Sequence, residues 1–174
     1  MGYEYPRRRR RDVDVPWGAV AIILIVLVVA YFGYYVWFSV QVDYRFDTQI
    51  GDKFELSDRA SDAKTKLMYL DQFIEALKAN GLTEGQTAIF WPRPTSDLAQ
   101  NYNTVLSLRE RLAQLADMEP NSMQYQQGMT QITLQEYCWF PINIFKQGYE
   151  LKNGIWWAAL LPHDVQNRCS TKST

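Results

Sequence analysis

The feature that most constrains this chain is an apolar run from Trp17 to about Val40, preceded by five consecutive arginines, Arg7, Arg8, Arg9, Arg10 and Arg11. Its centre, Ala19 to Ala30, carries no charged and no strongly polar side chain. A helix of about 20 such residues matches the roughly 30 Å hydrocarbon thickness of a bilayer. The run continues into Tyr31, Phe32, Tyr34, Tyr35, Trp37 and Phe38. Amphipathic rings favour the headgroup level, so Trp17, Tyr34, Tyr35 and Trp37 are the expected membrane-interface residues. A cleaved signal peptide has an apolar core of about 7–15 residues ending in a small-x-small site. Here the core is longer and ends in bulky rings, which predicts a retained anchor.

Lysine and arginine close to a span resist translocation and set its orientation. The arginine run faces only Glu4, Asp12 and Asp14 on the N-terminal side, while Arg45 stands beside Asp43 and Asp47 on the other. The expectation is a basic cytoplasmic arm over 1–15, a transmembrane helix over 16–40 and an extracytoplasmic domain over 41–174. The arginines need no further role, although a basic run also suits anionic lipid. A nucleic-acid partner is not expected, since residues 41–174 hold 13 basic against 16 acidic side chains and no basic stripe.

That exterior stretch suffices for one domain. Its periodicity is helical. Leu56, Ala60, Ala63, Leu67, Leu70, Ile74 and Leu77 follow alternating steps of four and three, the spacing of packed helices. The residues between them read as a solvated face, with Glu55–Arg59 and Asp62–Lys66 as i, i+4 ion pairs. Asn80-Gly81 offers a terminus that tolerates left-handed backbone. A loop follows from Leu82 to Thr95, with Pro92 and Pro94 stopping helix and Ala88 to Trp91 suited to a short extended piece. Leu98, Tyr102, Val105, Leu108, Leu112 and Leu115 form the stripe of a second helix beginning near Ser96. Asn121-Ser122 caps a third that buries Tyr125, Met129, Ile132 and Phe140. A fourth segment runs from Ile142 to about Leu161, interrupted at Gly148 and Asn153-Gly154. The predicted fold is all-α, an up-and-down bundle behind the anchor. In that topology the fourth segment returns toward the membrane, placing Trp156 and Trp157 either at the headgroups or in the bundle end.

Cys138 and Cys169 fall in the exterior region, where one disulfide is permitted. They lack the spacing of a zinc site. Catalytic patterns are missing too. His163 is the sole histidine, and its neighbour Asp164 is not a catalytic geometry. The sequence holds no Gly-x-Ser-x-Gly, phosphate loop or His-Glu-x-x-His. The acid pairs Asp58/Asp62 and Asp71/Glu75 lie on the polar face, without the histidines a di-metal bundle requires. Glu136 follows the third helix's inner stripe and invites a structural partner such as Arg109. No cofactor, metal or enzymatic activity is expected.

The expectation is instead a non-catalytic, membrane-anchored interaction protein, an accessory or scaffolding subunit of a membrane or envelope assembly. Phe90, Trp91 and Arg93, with Phe140 and Phe145, have the aromatic and arginine composition of interface hot spots. The other reading is a ligand-binding sensor domain, with a small molecule between helices and a partner carrying the signal. The bilayer and a membrane or envelope protein are the expected partners.

Overall fold

The computed structural model describes residues 17–90, 92–138 and 142–156, and for 135–138 the backbone only. Every regular element among them is helical: α1 (Trp17–Phe46), a π segment (Asp47–Gly51), α2 (Asp52–Arg59), α3 (Ala63–Ala79), a 3-10 turn (Pro94–Ser96), α4 (Leu98–Ala116), α5 (Met123–Cys138) and α6 (Ile142–Lys152). The chain divides into two compact units, 1–38 and 39–174.

In the first unit, α1 is the one helix among the described residues long and apolar enough to cross a membrane. Its Ile, Leu and Val side chains are exposed on all faces. A helix apolar all round needs an apolar environment, which a bilayer supplies. Toward Phe38 its rings stack one turn apart, Tyr31 on Tyr35 with centroids at 6.2 Å and Tyr34 on Phe38 at 6.4 Å.

The second unit opens on the last turns of α1. Val42, Phe46 and Ile50 are buried, and the half-buried Phe54 ring lies 5.7 Å from Phe73. Successive steps of four overshoot the α-helical period of 3.6 by about 40° each, so an unbroken α-helix would rotate this stripe away from the core. The π segment between them absorbs the excess. Its wider winding is visible in the Asp52 N–H, which donates to Asp47 O, and Thr48 Oγ1 donates to the preceding Tyr44 and Arg45 carbonyls.

The continuous helix predicted from Leu56 is in fact two. α2 ends at Arg59, Ala60 turns to extended backbone, and Asp62 caps α3 by accepting from Thr65 N at 2.8 Å. The Glu55–Arg59 pair forms. The predicted Asp62–Lys66 pair does not. Lys66 is 2% exposed, and its ammonium donates to Ser57 O at 3.1 Å while Ser57 Oγ donates to Lys66 O at 3.1 Å. Two reciprocal bonds therefore pin the end of α2 to α3, with a cation where the helix C-terminus favours one. The break also moves the seam. Ala63, Leu70, Ile74 and Leu77 are buried as expected, whereas Leu56 is 45% exposed and Leu67 only half-buried.

α4 is the hub, packed against α3, α5 and α6. All six residues of its predicted stripe are buried. α5 crosses it so closely that a Cβ on Gly128 would stand 2.4 Å from Leu115 Cδ2. Ser122 Oγ caps α5 by accepting from Tyr125 N, and the Tyr125 hydroxyl accepts from Ala63 N at the start of α3. On this helix Tyr125 and Ile132 are buried and Met129 is half-buried. Gly148 does not interrupt the fourth segment. It lies inside α6, buried against Leu98 and Thr87.

The Asn-Gly pairs close α3 and α6 in the same way. At positive φ, Gly81 donates to Lys78 O and Leu82 to Leu77 O, while Gly154 donates to Leu151 O and Ile155 to Glu150 O. Leu82 and Ile155 are buried behind these caps. The Lys152 ammonium joins the two by donating to Gly81 O.

Candidate functional site

The loop between α3 and α4 is fastened at its base rather than left slack. Leu98 N donates to Gly85 O at 2.9 Å and Thr87 N to Ser96 O at 3.0 Å, and an isolated antiparallel bridge joins Gln86 to Asp97. Thr87 Oγ1 adds a bond to Ser96 O, and Asn101 Nδ2 reaches Thr95 O at 2.9 Å. Thr87, Ala88 and Ser96 are buried at this neck. Beyond it, Ile89 and Phe90 are 51% and 62% exposed, and Arg93 is exposed nearby. A neck tied by backbone bonds lowers the entropy lost when such a tip is immobilised by a partner. Two large apolar side chains held out on a fixed loop are suited to contact and offer no chemistry.

A second constellation lies where α6 meets the last turns of α1. The Phe46 and Tyr149 rings pack at 5.6 Å, both buried. Beside them Asp43 faces Glu150 at hydrogen-bonding distance, and Lys146 Nζ lies 3.4 Å from Asp43 Oδ1. Burial, then the hydrogen bond and negative charge of Asp43, push the Glu150 carboxyl up to about 7, against the opposing pull of Lys146. Sequence reasoning passed over this pair because its members are more than a hundred positions apart on different helices. Among the described residues no cluster of acids, cysteines or histidines could hold a metal ion.

The remaining grooves are open and charged. One, between α3 and α4, is lined by Asp71, Glu75, Lys78, Arg109 and Glu110. Arg109 Nε lies 2.5 Å from Asp71 Oδ1 and Nη2 3.3 Å from Oδ2, and that carboxylate holds the guanidinium charge more firmly. Arg109 thus pairs with Asp71, where the sequence suggested Glu136.

Of the residues singled out in the sequence, Trp17, Tyr34 and Trp37 are exposed on α1 and Tyr35 is half-exposed. Trp156 is exposed just past α6. Phe145 is no surface residue: it is fully buried, edge-on to Phe73 at 6.0 Å. Arg7, Arg8, Arg9, Arg10, Arg11, Trp91, Phe140, Trp157, His163 and Cys169 lie outside the described residues, as do the side chains of Glu136 and Cys138. Compared with known proteins, the chain matches no family model, no curated protein and no solved structure.

Proposed function

We propose that this chain is a single-pass membrane-anchored interaction protein, an accessory or scaffolding subunit of a membrane or envelope assembly. In this reading α1 crosses the bilayer, the arginine arm remains cytoplasmic, and residues 41–174 stand outside as an up-and-down bundle. The observation that carries it is the tied loop with Ile89 and Phe90 at its tip. A fixed apolar projection flanked by Arg93 has the composition and the preorganisation of an interface anchor.

The test is to extract the full-length protein in mild detergent and identify what accompanies it in stoichiometric amount. A defined membrane-protein partner is expected, and Phe90→Asp should release it while leaving the thermal melt within about 0.5 kcal/mol of wild type, as for surface substitutions. A lone monomer or homodimer that persists through washing would sink the proposal. So would a partner indifferent to the substitution, as far as the loop is concerned.

A further inference from the structure

We infer that the contact between α6 and the last turns of α1 is a proton-operated latch, in which Glu150 and Asp43 share one hydrogen and its loss releases the end of α1 from α6. The inference stands independently of which partner the loop takes.

Two carboxyl groups at hydrogen-bonding distance cannot both ionise without strong repulsion, so one proton must lie between them. Lys146, 3.4 Å from Asp43 Oδ1, neutralises the α1 side and leaves Glu150 as the group that carries it. Once Glu150 loses that proton, the charges facing it are Asp43 from α1 and Asp47 from the π segment, with Lys146 of α6 as the opposing cation. The other cations of these elements are turned elsewhere. Lys53 donates to Gln49 O, and Lys152 to Gly81 O. Repulsion would therefore fall on the seam floored by Phe46 and Tyr149. That Glu150 titrates near 7 places the change close to neutrality.

The geometry also says which side moves. α6 is fastened to the rest of the domain by Phe145 on Phe73, by Gly148 against Leu98, and by Lys152 on the α3 cap. The last turns of α1 lead into the π segment, whose irregular winding is where a helix can readjust at least cost. The mobile part is then residues 43–51, with α6 as the fixed seat.

Amide hydrogen exchange on the full-length protein in detergent, between pH 5.5 and 8.5, tests this. After correction for the intrinsic pH dependence, exchange of residues 43–51 should accelerate about ten-fold or more across that range, since the open state releases the proton. Glu150→Gln should abolish the dependence and keep the protection seen at low pH. Asp43→Asn should do the same, and decides the matter should Glu150→Gln fail to fold. Flat exchange in wild type overturns the latch, as does an unaltered pH dependence in the folded variants.

Discussion

Gly128 and Lys66 show how much a single side chain, or its absence, decides here. At Gly128 the α4–α5 approach leaves no room, because an added Cβ would meet Leu115 Cδ2 at 2.4 Å and Cδ1 at 3.0 Å. Leu115 is itself buried and has little freedom to move aside. Gly128→Ala should therefore destabilise by about 1–3 kcal/mol despite its better helix propensity. Denaturant unfolding followed by far-UV circular dichroism would read this, and a gain in stability would show that α5 rides more loosely. Lys66 makes the opposite point. Lysine at that position in a periodic run reads as solvated, yet its ammonium lies among the Ser57 and Asp58 carbonyls. Its burial was not legible without the α2–α3 break, which creates those acceptors.

Among the elements, α4 was legible throughout. Its apolar residues keep helical spacing, and Asp97 accepts from Ala99 N as a cap should. The break at Ala60 was legible only in part. Ser61-Asp62 is a capping signal placed inside an otherwise regular stripe, and the stripe masked it. The helix over 39–55 escaped for a different reason: Val42, Phe46, Ile50 and Phe54 repeat every four residues, a spacing that fits neither α-helix nor strand. Asp97 serves two elements at once, as the α4 cap and as the loop's bridge to Gln86. Asp97→Ala should cost about 1 kcal/mol. It should also raise exchange at Thr87 and Leu98 more than in the middle of α4, and uniform loss along the helix would argue that the neck is held by the Thr87–Ser96 bonds instead.

At the scale of the molecule, two groups pull stability in opposite directions with pH. Glu150 is raised from an ordinary 4.5 to about 7, so its contribution is complete below 4.5 and is lost as pH rises through 7. Asp62 is lowered from 3.8 by accepting from Thr65 N, so its contribution is present above 3.8 and is lost on further acidification. Together they predict greatest stability at about pH 4–5, with a decline toward pH 8 that Glu150→Gln removes. Thermal melts of the full-length protein across that range would show it, and a maximum above pH 7 would refute the assignment. The π segment carries a consequence of another kind, for the length of the chain. Such a turn accommodates one residue beyond what regular winding needs. Losing Thr48 would let α1 run into α2 as plain α-helix, yet rotate everything that follows by about 100° around the axis. Helical content would survive, while Ser57 would swing off Lys66 and Phe54 off Phe73. Circular dichroism unchanged beside a lowered melting temperature is the expected outcome. This stretch would then tolerate exchange of its letters far better than a change in their number.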